Sequence, residues 1–218
     1  MANNLQTMRL RIIQTFTILF FSLSAWGQTT IRGTTTITTD GIISDSVNNS
    51  PNRKFEKQVK IKPIDKSNSE LEIRFYKLTS LSNTTNLKII KLRNKEWTSV
   101  EYEEWNNPVR IKRYKLAAVP DFESFIRKLL EQNLTSLPTQ QQLEGKMKKF
   151  TERNGRRRES KIAVLDGHSY TVEFKFGNSF RVFEFDSPDA YAKFYDNVEE
   201  LKNYVAIKEL FEKELIRE

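Results

Sequence analysis

Along this chain the apolar positions follow two different periods. Leu71, Ile73 and Phe75 alternate with Glu72, Arg74 and Tyr76, and Val59 and Ile61 alternate with charged residues before Pro63. That period of two predicts strands with one dry and one wet face. The pattern continues over 87–92 and 97–105, separated by Arg93-Asn94-Lys95-Glu96, a polar connection of hairpin length, and over 109–116 after the turn Asn106-Asn107-Pro108. About five strands with no long helix between them predict an antiparallel sheet rather than a doubly wound parallel one.

From Asp121, an N-cap residue, the period changes. Phe122, Phe125, Ile126, Leu129, Leu130 and Leu134 fall on one continuous face, so the sequence predicts an amphipathic helix that needs an apolar partner, and the sheet supplies one. Leu137-Pro138 closes it. A weaker helical stretch is expected over 140–150, and strand patterns return at 161–165, 169–176 and 180–185, with reversals at Asp166-Gly167 and Gly177-Asn178. Ser187-Pro188-Asp189 marks another helix start. A long C-terminal helix is expected over 197–217, with Leu201, Tyr204, Val205, Phe211 and Leu215 on one side. The fold class is therefore α+β: an antiparallel sheet, then a β-hairpin region, packed by the Asp121 helix and the C-terminal helix.

Upstream of this body the composition shifts twice. Arg9 and Arg11 precede an apolar run, Ile12 to Leu23, and Ala25-Trp26-Gly27-Gln28 places small residues before a cut after Gly27. This is the three-part plan of a secretory signal peptide over 1–27, too short and too rich in Gln, Thr and Ser for a spanning helix of about 20 apolar residues. Met8, followed by Arg9-Leu10-Arg11, would be the more typical start. The Gly-Gln after an aromatic resembles the leaders of exported Gram-negative proteins, and the resemblance covers the leader alone. Residues 28–54 are rich in Thr, Ser and Asn and are expected to be a flexible leader, with a weak edge strand as the minority reading. One α+β domain over 55–218 remains, close to the size of about 150 residues that buries roughly 70% of its unfolded surface.

Composition narrows the chemistry. With no cysteine and one histidine among 218 residues, disulfides, thiolate metal sites, a cysteine nucleophile, a lipidated cysteine and any multi-histidine centre are excluded. No metal site and no cofactor is expected, and no nucleotide-binding glycine loop, Gly-x-Ser-x-Gly elbow or zinc-protease motif is present. The formal charge is +8, and loss of the leader leaves 34 basic against 28 acidic residues, or +6. A field of that sign favours anionic partners without naming one.

Three groups of residues carry candidate chemistry. His168 lies beside Asp166 in Asp166-Gly167-His168-Ser169-Tyr170, so general acid–base work is conceivable, but Asp-Gly is itself a turn dipeptide and a hairpin loop is the expectation. Lys146, Lys148, Lys149, Arg153, Arg156, Arg157 and Arg158 stand against the single acid Glu152 between 146 and 158, a net +6. A solvated loop explains such a run, and as a site it would take anionic glycan or lipid head groups, with nucleic acid disfavoured by the leader and by the lack of interleaved aromatics. Glu101, Glu103 and Glu104 lie near Trp97, Tyr102 and Trp105; strand alternation sets Tyr102 with Val100 on the core side and leaves Glu101 and Glu103 in water. The expectation is an exported protein, periplasmic or secreted, with no spanning segment once matured, acting as a non-enzymatic binding or structural component of the bacterial envelope. A hydrolase of envelope polymers using Asp166 and His168, and polyanion capture by 146–158, are the alternatives.

Overall fold

In a computed structural model that describes residues 28–31, 35–38, 52–81, 84–106 and 108–218, the chain divides into two units, Met1–Asp40 and Gly41–Glu218. The signal peptide expected at 1–27 lies outside the described residues. In the first unit β1 (Gln28–Ile31) and β2 (Thr35–Thr38) pair antiparallel, with Gln28 opposite Thr38. Threonine-rich sequence suits that conformation because a branched Cβ fits the pleat.

The first described elements of the second unit are helix α1 (Arg53–Gln58) and a 3-10 turn at Ile64–Lys66. Four strands follow in a meander: β3 (Leu71–Thr79), β4 (Thr84–Arg93), β5 (Glu96–Asn106) and β6 (Val109–Ala118). Helix α2 (Phe122–Glu131) and a 3-10 turn at Gln141–Leu143 lead into the short strands β7 (Lys149–Arg153) and β8 (Arg156–Ser160). Then come β9 (His168–Phe176), β10 (Ser179–Asp186), α3 (Pro188–Phe194), α4 (Glu199–Lys213) and β11 (Leu215–Arg217).

The α+β class holds, but the strand count does not. The β9–β10 hairpin is part of the main sheet, because β9 pairs with β3, and the result is one seven-stranded sheet in the order β10-β9-β3-β4-β5-β6-β11. Every neighbouring pair in it is antiparallel. Turn chemistry sets the hairpins: Asn94 and Lys95 both adopt positive φ (52° and 65°), as a two-residue turn between right-twisted strands requires.

Several element expectations are corrected. Val59 and Ile61 follow a helix rather than lying in a strand, 161–165 forms no strand and leaves Leu165 85% exposed, and the helix expected over 140–150 is only the 3-10 turn before β7. The C-terminal helix stops at Lys213, and Leu215–Arg217 turn back to pair with β6. Among the described residues no helix is long and apolar enough to cross a membrane.

Alternation gives the sheet two faces. On one, Phe75 stacks on Phe211 of α4 with centroids 4.4 Å apart, Phe211 meets the edge of Phe125 of α2, and Phe185 stacks on Tyr204 at 4.8 Å. Asp121 caps α2 by accepting from the Ser124 amide at 2.8 Å, as its sequence position predicts. The other face was expected to be wet, yet Glu72 and Arg74 are fully buried there and Tyr76 nearly so. Helix α1 covers them, laying Phe55 against Tyr76, Leu87 and Ile89.

Candidate functional site

The basic run 146–158 was expected as a loop, but most of it lies in a two-stranded ribbon over 149–160. Asn154 and Gly155, at φ 53° and 69°, make its turn, and the register sets Arg153 opposite Arg156, Thr151 opposite Arg158 and Lys149 opposite Ser160. Because side chains alternate across a strand, Lys149, Arg153, Arg156 and Arg158 share one face, which carries no acid. Phe150, Glu152, Arg157 and Glu159 share the reverse face, where the Arg157 guanidinium lies 4.0 Å from the centre of the Phe150 ring.

The seven basic residues of the run therefore do different jobs. Lys149 donates to the Phe194 carbonyl at 2.9 Å and Lys146 bonds Glu200, which together tie the base of the ribbon to α3 and α4. The Lys146 hydrogen bond also holds the Glu200 carboxyl below its ordinary range. Lys148 is exposed on the approach, and Arg157 is stacked away on the reverse face. Arg153, Arg156 and Arg158 are left together, exposed, with no ion-pair partner among the described residues. Like charges directly across a hairpin oppose its formation, so this arrangement costs the fold and offers an anion a preformed cluster.

At the other candidate, the turn before β9 is held tightly. Asp166 adopts positive φ, the Ser80 hydroxyl donates to the Gly167 carbonyl at 2.8 Å, and the Ser187 amide donates to the His168 carbonyl at 2.9 Å. A methyl group on Gly167 would meet the Ser187 Oγ at 1.9 Å, so any larger residue there requires the Ser187 side chain to move. Asp166 and His168 both line a shallow cavity of about 290 Å³ with Ser80, Ser169, Asp186 and Ser187. No hydrogen bond joins the two among the described residues, and the imidazole Nδ1, which an orienting acid would engage, has no such partner there either. Burial, then the nearby Lys77, push the His168 pKa below its ordinary 6.5.

A third cluster has no signature in the sequence pattern. Under α1, Arg74 donates from Nη1 to Glu56 at 2.5 Å, from Nε to Glu72 at 2.7 Å and from Nη2 to the Lys62 carbonyl at 2.7 Å. The Tyr76 hydroxyl donates to Glu56 at 2.8 Å, Arg53 reaches both Glu56 and Glu173, and Lys91 lies 3.4 Å from Glu72. Three acids (Glu56, Glu72, Glu173) thus face three cations (Arg53, Arg74, Lys91). Burial works against the Arg74 charge, but Tyr76, Glu72 and Glu56 outweigh it and raise its pKa; burial, then Glu173, raise that of Tyr76. With charges balanced and donors engaged, the cluster is a clamp for α1 rather than a reactive centre.

Glu101 and Glu103 are also placed differently from the expectation. They lie on the helix-covered face, Glu101 nearly fully buried, and Arg217 of β11 bonds Glu101 at 2.7 Å and Glu103 at 2.9 Å. Burial alone would raise the Glu101 pKa, yet hydrogen bonds from Arg217 and Asn86 bring it below the usual carboxylate value. Trp97 packs on Phe122 and donates to Glu123, whereas Trp105 is 49% exposed beneath Lys112. Tyr102 packs beside Val100 against the α1 core, as alternation predicts. Among the described residues no three His, Asp or Glu side chains converge as a metal site would need. Comparison with protein-family models, curated proteins and solved structures returned no match, which leaves the chain's own side chains to carry the functional reading.

Proposed function

We propose that this is an exported, non-enzymatic binding component of the bacterial envelope, and that it holds anionic ligands through the β7–β8 ribbon. The observation that carries the reading is the one-sided charge: Arg153, Arg156 and Arg158 share a face with no acid, while Glu152 and Glu159 are on the reverse. A solvated loop has no reason to sort its charges this way, and cross-strand repulsion would favour mixing them. The leader pattern at 1–27 supports an envelope address, and the lack of a hydrogen bond to the His168 Nδ1 among the described residues argues against catalysis at the other candidate.

The full-length protein expressed in a Gram-negative host is expected to appear outside the cytoplasm with Gln28 as its first residue. The purified mature chain is expected to bind immobilised heparin, a generic polyanion, and replacement of Arg153, Arg156 and Arg158 by Thr is expected to release it at much lower salt. Retention equal to that of the parent chain would refute the ribbon as the binding element, and cytoplasmic recovery of an uncut chain would refute the address.

A further inference from the structure

We infer that the ligand of the ribbon is a linear acidic polysaccharide, bearing carboxylates along its length, that lies across the Arg153–Arg156–Arg158 face. The inference rests on the polyanion reading above and narrows it to one ligand class. Its basis is what that face carries and what it lacks.

The three guanidinium groups come from both strands, Arg153 on β7 and Arg156 and Arg158 on β8. Arg156 and Arg158 are two residues apart on one strand, a rise of about 7 Å, and Arg153 stands directly across from Arg156, where facing Cβ atoms are about 5 Å apart. That is a short array of planar forks, each able to take a carboxylate through two parallel hydrogen bonds. A polymer with one carboxylate per sugar presents a series of planar acceptors, each of the kind such a fork takes. Thr151 and Ser160 lie on the same face with their hydroxyl oxygens 2.9 Å apart, which adds neutral hydrogen-bonding groups of the kind that meet sugar hydroxyls.

The features that would favour other polyanions are on the wrong face or missing. A bilayer-binding element pairs cations with an apolar side chain that enters the headgroup region, but the ribbon's only aromatic, Phe150, is on the reverse face beneath Arg157. Three exposed cations alone give about millimolar attraction to an anionic bilayer or weaker. Single-stranded nucleic acid is gripped by aromatic platforms, which the cationic face lacks, and the leader pattern at 1–27 would take the chain away from cellular nucleic acid.

The test uses the mature chain with polygalacturonate, vesicles of anionic phospholipid, and duplex DNA of random sequence, by titration calorimetry or sedimentation at one fixed salt concentration. Polygalacturonate is expected to bind at least about tenfold more tightly than the other two. Arg156→Ala is expected to weaken that binding by about tenfold, the scale of a lost hydrogen bond to a charged group. Arg157→Ala removes the same formal charge from the opposite face and is expected to change it by less than about twofold. Equal or tighter binding of vesicles or DNA overturns the polysaccharide assignment and leaves the polyanion reading standing. Equal losses in Arg156→Ala and Arg157→Ala overturn the one-face geometry. Failure to bind polygalacturonate while heparin binds overturns this inference alone, and failure to bind heparin and all three probes overturns the reading beneath it as well.

Discussion

Arg74 sets how firmly α1 is held, because its guanidinium is the shared partner of Glu56 and Glu72. Arg74→Met takes the hydrogen-bond donor from buried Glu72 and one of three donors from buried Glu56, and is expected to destabilise the protein by about 3–5 kcal/mol in chemical denaturation. Replacing Arg74, Glu56 and Glu72 together with apolar residues of similar size is expected to cost far less, since a buried ion network often contributes little net stability over a packed apolar one. A single-site loss below about 1 kcal/mol would show that water already reaches the cluster. His168, the only histidine in the chain, reports on the opposite end of the sheet through one well-separated NMR signal. Its pKa is depressed by burial and by Lys77, so its midpoint is expected below 6.5. The folded state then binds this proton less readily than the unfolded chain, and the stability linked to His168 is present above pH 6.5 and is lost as pH falls through the folded value. A midpoint above 6.5 would point instead to a carboxylate partner for the ring and would revive the acid–base reading.

At the scale of elements, the period-two pattern located β3, β4, β5, β6, β9 and β10, and the Asp121 cap located the start of α2. These are the segments whose local chemistry and burial agree. The ribbon was missed because its strands hold a single apolar residue, Phe150, and bury almost nothing, so no apolar period marks them. Helix α1 was missed for a different reason: its six residues hold one apolar side chain, Phe55, and its other anchor is the buried Glu56, which reads as a surface residue. Strand β11 is three residues appended to a helical pattern, too short to announce itself. The β4–β5 turn allows a direct check of the hairpin chemistry. Lys95 stands at φ 65° where glycine carries no steric penalty, so Lys95→Gly is expected to stabilise the protein by about 1 kcal/mol in thermal or chemical unfolding. A loss of stability would mean that the side chain contributes more than its backbone strain costs.

For the whole molecule, the basic excess is not spread evenly. The run from 146 to 158 carries a net +6, whereas the rest of the chain from Gln28 onward balances to zero. The fold then divides that run between anchoring and display: Lys146 and Lys149 fasten the ribbon to α3 and α4, while Arg153, Arg156 and Arg158 face solvent together. The charge itself was legible in the sequence; its sorting onto one face was not, because that depends on the register set by the Asn154-Gly155 turn. A ligand that binds only the folded ribbon should also raise the unfolding temperature in proportion to its occupancy. The most direct measurement is the salt dependence of polyanion affinity for the mature chain and for the variant with Arg153, Arg156 and Arg158 replaced by Thr. The parent chain is expected to show an affinity that falls steeply with salt, and the variant a weaker affinity with a much shallower slope, since fewer counterions are released per binding event. The same steep slope in both proteins, or affinity indifferent to salt in the parent, would contradict the account.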